Sequence, residues 1–182
     1  MKEIDEMTIR LAAKKDPAAF KRIYDYYVEF VWKIIFRTVN GDGEAAKEIV
    51  QDTFVRVLSS LKSFSFKSGL STWVYRIAFN AANTYVARNK RLSYFAPEDM
   101  DALAGREHKS TYEDEELVRI LLSGLSTEER FLITSREVEG IPFEELAQIV
   151  GRSSESLRTQ ISRLKEKLRS VYEQRFSARE IT

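Results

Sequence analysis

Apolar positions along the chain recur at intervals of three and four residues and do not alternate, which is the period of amphipathic helices. The first long pattern starts after Asp16, where an N-cap residue is followed by proline, and it continues to about Asn40. A second pattern starts at Asp42 and continues to about Leu61. The chain has only seven glycines and three prolines in 182 residues. These features predict an all-α protein.

A third helix is predicted over residues 71–91, and its faces differ in chemistry. An apolar stripe at four-residue spacing comprises Trp73, Ile77, Ala81 and Tyr85. Other faces and the C-terminal end carry amides and basic residues, namely Arg76, Asn80, Asn83, Arg88, Lys90 and Arg91. Amides that can contact base edges, next to basic groups that attract phosphate, predict a surface that holds a nucleic-acid strand. The alternative is a helix whose aromatic residues are core and whose amides are merely solvated.

The loop before this helix combines aromatic, polar and basic residues. Phe64, Ser65 and Lys67 belong to a segment, residues 62–70, that also contains a second phenylalanine and a glycine. Such a segment is poorly suited to a hydrophobic core, but it could hold a base that has left the stack. The sequence therefore predicts single-strand contacts from this loop as well as from the helix.

Residues 142–168 have the pattern of a helix-turn-helix. Gly151 permits the left-handed backbone of the turn, and leucines and an isoleucine at helical spacing give the second helix its apolar face. The polar face of that helix carries Ser156, Arg158, Thr159, Gln160, Arg163 and Lys167. Arginine can read guanine, glutamine can read adenine, threonine can contact a thymine methyl, and lysine can contact phosphate, so the segment is a candidate for major-groove binding. The alternative is an αα-hairpin with a solvated polar face.

The helix predicted after Asp42 has a mixed face, which consists of Glu48, Gln51, Asp52 and Val55. Acidic groups repel phosphate, so acids, an amide and an aliphatic side chain together are better suited to a protein partner than to DNA. A plain solvated face is the alternative.

The distribution of charge divides the chain. Residues 1–95 contain 16 Lys and Arg against 10 Asp and Glu, whereas residues 96–115 contain 2 against 7. Between residues 93 and 114 the helical period is lost and acidic residues dominate. We therefore predict two small helical domains, residues 1–95 and 115–182, joined by a flexible acidic linker over residues 96–114. The C-terminal domain contains the helix-turn-helix.

Composition disfavours several classes of protein. No cysteine is present, and the single His108 has no partner near it in the sequence, so we expect no metal site and no disulfide. No nucleophile motif or phosphate-binding glycine loop is found, and we expect neither an enzyme nor a cofactor nor a small-molecule substrate. The absence of a long apolar run and of a signal-peptide core predicts a cytoplasmic protein that does not insert into membranes.

Three segments, in the order in which they occur, resemble those of bacterial RNA polymerase sigma factors. They are EIVQDTFVRVL (48–58), LKSFSFKSGLSTWVYRIAFNAANTYVARNKR (61–91) and GLSTEERFLITSREVEGIPFEELAQIVGRSSESLRTQISRLKEKLR (124–169). The chain is similar to the compact extracytoplasmic-function (ECF) group, which keeps only two domains. The similarity covers most of the chain.

The resemblance implies a promoter-specificity subunit that binds core RNA polymerase, recognises the −35 and −10 promoter elements and promotes DNA melting. It implies contacts with a coiled coil of the largest polymerase subunit and with the flap region. Glu48, Gln51 and Asp52 match the family segment that binds the coiled coil, and Val55 on the same face completes the predicted polymerase-binding set. The resemblance assigns the −10 element to Phe64, Ser65, Lys67, Arg76, Asn80, Asn83, Arg88, Lys90 and Arg91. It assigns the −35 element to Arg158, Thr159 and Arg163. Ser156, Gln160 and Lys167 complete the predicted −35 set from their place on the same helix, and Gln160 stands where the family often has arginine or lysine. The resemblance also implies an anti-sigma factor as a partner.

Two other classes of function stay open from the residues alone. A stand-alone helix-turn-helix regulator would explain residues 142–168 and would use the N-terminal helices for dimerisation, but it does not need the amides and cations of residues 71–91. A helical adaptor that binds only proteins would show no salt-dependent binding to DNA.

Overall fold

The computed structural model describes the backbone of residues 4–95 and 113–176, and the side chains of residues 4–90 and 116–175. Within these ranges all regular structure is helical, in two domains, which confirms the predicted fold class. The first domain comprises α1 (Glu6–Ala13), α2 (Pro17–Thr38), α3 (Gly43–Ser60), a 3-10 turn (Leu61–Ser63) and α4 (Leu70–Phe95). The second comprises α5 (Glu113–Ser123), α6 (Thr127–Ile133), a π-helical segment (Thr134–Val138), α7 (Phe143–Val150) and α8 (Ser154–Phe176).

The N-cap residues recognised in the sequence start the helices expected of them. Asp16 accepts a hydrogen bond from the backbone N–H of Ala19 at 2.8 Å, and Asp42 accepts one from Ala45 at 3.0 Å. In front of α6, the side chain of Ser126 caps the helix while Glu129 bonds back to the Ser126 backbone N–H. These contacts satisfy donors that would otherwise have no partner at the start of each helix.

Helix α1 was not expected from the pattern of apolar residues. Asp5 caps it by accepting hydrogen bonds from the backbone N–H and the hydroxyl of Thr8, both at 2.8 Å. These bonds favour the ionised carboxylate and hold the pKa of Asp5 below its usual value. Ile9 and Ala12 are buried against the rest of the N-terminal domain.

The buried face of α4 differs from the predicted apolar stripe. Val74, Ala78, Ala81 and Ala82 are buried in the core of the first domain, whereas the aromatic and branched members of the predicted stripe, Trp73, Ile77 and Tyr85, are only partly buried. These three side chains pack against the edge of that core, and of the predicted stripe only Ala81 is fully buried within it. A row of small side chains is buried instead, and small side chains allow close approach of packed helices.

The helix-turn-helix forms as predicted. Gly151 has φ +74°, and its backbone N–H bonds to the carbonyl of Ala147 at 2.9 Å, which ends α7. The apolar faces of α7 and α8 meet in the core of the second domain, which buries Leu146, Ile149, Leu157, Ile161 and Leu164.

The two domains pack against each other, and no pattern in the sequence predicts this contact. Ile34 of α2 and Phe79 of α4 belong to the first domain by sequence, yet both are buried in the hydrophobic cluster of the second. α4 ends at Phe95, just before the predicted linker begins. α5 begins at Glu113, so it includes the last two residues of the predicted linker. The rest of the predicted linker lies outside the described residues.

Candidate functional site

An apolar groove of about 450 Å³ lies between α2 and α3. Its walls include Tyr24, Trp32, Val55 and Leu58, whose side chains are exposed to solvent. Gln51 also lines it, so two of the four residues predicted to bind polymerase, Gln51 and Val55, belong to the groove. An exposed, concave apolar surface of this kind suits a helical protein partner.

The two acidic residues of the same predicted set are held by arginines. Glu48 accepts a hydrogen bond from Arg88 at 2.5 Å, and Asp52 accepts one from Nε of Arg56 at 3.0 Å. The bond to Glu48 raises the pKa of Arg88 above its usual value. A residue predicted to bind polymerase therefore neutralises one predicted to bind DNA. Both pairs are exposed to water, which weakens their attraction, so a partner can displace them.

The loop predicted to hold an unstacked base presents a run of aromatic rings. The ring centre of Phe64 is 5.3 Å from that of Trp73 and 4.8 Å from that of Phe66. Ser65 and Lys67 are exposed beside them. Phe66 and Trp73 were not among the residues predicted to contact DNA. Phe66 could have been included, because it lies two residues after Phe64 in the same polar loop. Stacked or tilted aromatic rings are the usual platform for bases of a single strand.

The predicted DNA face of α4 is only partly available. Asn80 is exposed and Asn83 is half-buried. Arg76 donates a hydrogen bond from Nε to the backbone carbonyl of Gln148 in α7, at 2.9 Å. One of the cations predicted to contact the −10 element is thus bonded to the helix-turn-helix domain.

The C-terminal end of α4 carries the predicted basic residues Arg88, Lys90 and Arg91. The guanidinium carbon of Arg88 lies 5.2 Å from the ring centre of Tyr85, and Lys90 is exposed. Arg91 lies within α4, but its side chain lies outside the described residues.

The predicted −35 residues lie together on α8, and several have partners within their own domain. Arg158 bonds to Glu144 of α7 at 2.7 Å, and its guanidinium carbon lies 4.5 Å from the ring centre of Phe143. Arg136 lies at the same distance from that ring. The guanidinium of Arg158 is therefore held against α7 by an acid and a ring.

Other members of the −35 set vary in how they are held. Gln160 is half-buried and accepts a hydrogen bond from Arg152 at 2.7 Å. Lys167 donates from Nζ to the backbone carbonyl of Gly124 at 2.9 Å. The remaining members of the set are exposed on the same helix, namely Ser156, Thr159 and Arg163.

The interface between the domains combines aromatic and polar contacts. The ring centres of Phe79 and Phe131 are 4.8 Å apart. Arg130 donates to the carbonyls of Leu122 at 2.8 Å and, across the interface, of Thr38 at 3.5 Å. Partial burial lowers the pKa of Arg130 from its usual value. This arginine links the second domain to the end of α2.

Tyr75 and two glutamates complete the interface. Glu139 lies 3.6 Å from Arg37, and Glu145 accepts a hydrogen bond from Thr72 at 3.4 Å. Burial, reinforced by the nearby carboxylates and Tyr26, raises the pKa of Tyr75 to about 12.

No group of three or more His, Cys, Asp or Glu residues in the described ranges could hold a metal ion. His108 lies outside the described residues. Of the helices that the structure describes, none combines the length and the apolar character needed to cross a membrane.

Comparison of the sequence with protein families gives two matches that together include most of these features. Residues 23–92 match Sigma-70 region 2, and residues 115–168 match Sigma-70, region 4. The chain is 30% identical over 179 residues to proteins named ECF RNA polymerase sigma-E factor from Salmonella typhimurium strain LT2 and Escherichia coli strain K12. Each comparison covers 89% of this chain and 91% of the relative.

Two solved structures share the fold. One is CnrH in complex with the cytosolic domain of CnrY, with a TM-score of 0.70, 21% identity, and coverage of 94% of this chain and 98% of that one. The other is the sigma factor RpoE in complex with the anti-sigma factor NepR from Bartonella quintana. Its TM-score is 0.70 at 20% identity, and the match covers 85% of this chain and 96% of that one. From its two domain matches and its relatives, the chain belongs to the family of ECF RNA polymerase sigma factors.

Proposed function

We propose that this sigma factor binds core RNA polymerase through the α2–α3 groove, reads the −10 element with α4 and its preceding loop, reads the −35 element with α8, and promotes local melting. The observation that carries the proposal is the aromatic run of Phe64, Phe66 and Trp73, together with the exposed amide of Asn80 about two turns further along α4. Rings that can stack bases and an amide that can read them are combined in one loop and helix. That combination suits a melted strand better than an intact duplex.

The energetics of melting are compatible with such a loop. Separating one step of stacked base pairs costs about 1.4 kcal/mol. Stacking one freed base on an aromatic side chain returns roughly 1–3 kcal/mol. A few captured bases can therefore offset the opening of a short bubble, without a catalytic residue or a cofactor.

We infer that the two domains separate when both promoter elements are bound. Positions −35 and −10 are roughly 25 base pairs apart, which corresponds to about 85 Å of duplex. A compact chain of this length has a radius of gyration of about 16 Å. Domains that share a hydrophobic cluster through Phe79 and Phe131 cannot reach both elements at once, and the hydrogen bond of Arg76 to Gln148 would break on separation.

An anti-sigma factor is the further partner that we propose. The groove between α2 and α3 offers exposed aromatic and aliphatic side chains that a helical segment could cover, which would exclude polymerase from the same surface. The Bartonella quintana relative in the structural comparison is bound to an anti-sigma factor. Since this chain has no cysteine, any thiol-based control would reside in the partner.

Binding to core polymerase tests the groove. We expect Val55→Asp to weaken binding of the labelled chain at least tenfold, because it places a charge in the apolar wall. Val138→Asp makes the same change at a similarly exposed position in the other domain (56% against 59%) and should bind nearly as wild type. Fluorescence anisotropy with purified core polymerase measures both. Equal loss in the two variants would remove the groove from the proposal.

Promoter selection tests the DNA-binding half of the proposal. Holoenzyme containing this chain is expected to enrich two spaced elements from a library of randomised templates, read out by run-off transcription. Core polymerase alone is the control. Enrichment of a single operator-like site by the chain without polymerase would favour a stand-alone helix-turn-helix regulator instead.

A further inference from the structure

Helix α1 brings a cation to the base-binding loop. The Sigma-70 region 2 match begins at residue 23, so α1 lies outside it, and none of the predicted site residues belongs to this helix. The helix packs on the first domain through Ile9 and Ala12. Arg10, between them in sequence, is exposed, and its guanidinium carbon lies 5.1 Å from the ring centre of Phe66.

Phe66 is held in an unusual position. Its φ is +57°, in the left-handed region that residues other than glycine rarely adopt, and its side chain is 42% exposed. Such a conformation costs free energy and persists only where the surrounding structure imposes it, often at binding sites. The fold thus maintains a large apolar ring in solvent, and the exposed guanidinium of Arg10 lies over it.

We propose that Arg10 and Phe66 form a clamp for one unstacked base of single-stranded DNA. The proposal rests on the proposed function, and it adds a residue of α1 to the strand-binding surface. Guanidinium groups stack on bases as well as on aromatic rings, and a phenylalanine ring stacks on any base. Arg10 and Phe66 therefore offer one stacking surface each to the same ligand.

Insertion of a base between the two groups requires only a small movement. A base occupies about 3.4 Å along a stack, and the long side chain of Arg10 can move by that distance while its backbone stays in place. The ring of Phe66 also contacts the ring of Phe64, which in turn contacts that of Trp73. The clamp is therefore the outer end of the aromatic run already described.

Glu6 restrains the clamp before DNA binds. Its carboxylate accepts hydrogen bonds from Nε of Arg10 at 2.7 Å and from Nη2 at 2.5 Å, one helical turn away. This bond positions the guanidinium over the ring and also neutralises it. Removal of the Glu6 charge should therefore strengthen DNA binding. Removal of the flat, charged guanidinium of Arg10 should weaken it. Opposite effects from two bonded residues are a specific signature of the clamp.

The test uses holoenzyme assembled with the full chain and the promoter obtained by selection. The probe is a fluorescein-labelled single strand containing the selected −10 element, and the same strand annealed to its complement is the duplex control. We expect Arg10→Gln to weaken binding to the single strand about fivefold and Glu6→Gln to strengthen it about twofold, with little change on the duplex. Arg10→Lys keeps the charge without the flat group and should not restore binding.

Arg22→Gln is the matched control. Arg22 is also an arginine, its side chain is similarly exposed (65% against 60%), and it is paired with an acid near the start of α1, Asp5, at 3.5 Å. It should bind the strand nearly as wild type. Equal effects of Arg10→Gln and Arg22→Gln, or full rescue by Arg10→Lys, would overturn the clamp while leaving the proposed function intact. Failure of wild-type holoenzyme to bind the strand would overturn both.

Discussion

The two surfaces predicted to bind DNA are restrained in different ways. On α4, Arg76 is bonded to the backbone of Gln148 in the other domain. On α8, Arg158 is bonded to Glu144 within its own domain. The first restraint is part of an interface that includes buried aromatic rings, whereas the second consists of an exposed ion pair and the contact of Arg158 with the Phe143 ring, both within one domain.

This difference indicates how each surface becomes available. Exposed ion pairs are worth at most about 1 kcal/mol, so phosphate can replace Glu144 at Arg158 without a change in the fold. Full access to the α4 surface requires the domains to part, which exposes a large apolar contact to water. The surface predicted to bind the −35 element is then available at small cost in the compact chain, whereas full access to the surface predicted to bind the −10 element depends on something that stabilises the open form. Core polymerase is the obvious candidate, because its binding energy can offset the lost contact.

Replacement of Phe79 by alanine should break this asymmetry and has the largest effect that we expect. Phe79 projects from α4 into the core of the second domain, and its loss should cost about 3–5 kcal/mol of packing at the interface. The domains should separate, with an increase in the radius of gyration measured by small-angle X-ray scattering. Binding of the free chain to single-stranded DNA should rise at the same time.

Phe54→Ala is a close control for that experiment. Phe54 is also a buried phenylalanine on a helix of the first domain (5% exposed against 7% for Phe79). Its ring centre is 4.7 Å from that of Tyr24. Its replacement should lower the thermal stability of the first domain without separating the two. If both variants leave the radius of gyration unchanged, the interface does not control access to α4.

Replacement of Asn80 by alanine should separate the effect of direct contact with bases from the effect of opening the interface between the domains. Asn80 is already exposed in the compact chain, so its effect does not depend on domain separation. We expect Asn80→Ala to cost roughly 1–3 kcal/mol at the −10 element and to relax its sequence preference. Asn89 is exposed about two and a half turns further along the same helix, on the opposite face, and Asn89→Ala is the matched control. Run-off transcription on a series of −10 variants measures both, and an unchanged ranking of promoters in Asn80→Ala would remove that residue from the reading face.

Local signals in the sequence were sufficient for most of the helices and for the helix-turn-helix. Asp16 and Asp42 start helices through side-chain contacts with the next turn, and such contacts need no information from distant residues. Gly151 likewise marks its turn by itself. Helix α1 was missed because it is short and rich in charges, so that its buried Ile9 and Ala12 do not form an extended apolar pattern.

The interface between the domains could not be predicted for a different reason. Hydrophobic periodicity shows that a residue faces something apolar, but not which element supplies it. Phe79 lies next to the small residues that pack within its own domain, and only the three-dimensional structure assigns it to the other core. The clamp of Arg10 and Phe66 also joins distant parts of the chain. The residues that restrain or extend the α4 surface are therefore the ones that local patterns omit.

The smallest effect that we expect concerns the ion pair that restrains Arg158 on α8. Glu144→Gln should free Arg158 and strengthen binding of the chain to a −35 duplex about two- to fivefold, corresponding to an exposed pair worth less than about 1 kcal/mol. Glu166→Gln removes the same charge from an exposed position on α8 and should strengthen binding less, because it changes only the long-range field. The difference should shrink as salt is added, since exposed charges are screened. If Glu144→Gln instead separates the domains in small-angle scattering, the two DNA surfaces are controlled by one equilibrium, and the contrast between a local and a global restraint is wrong.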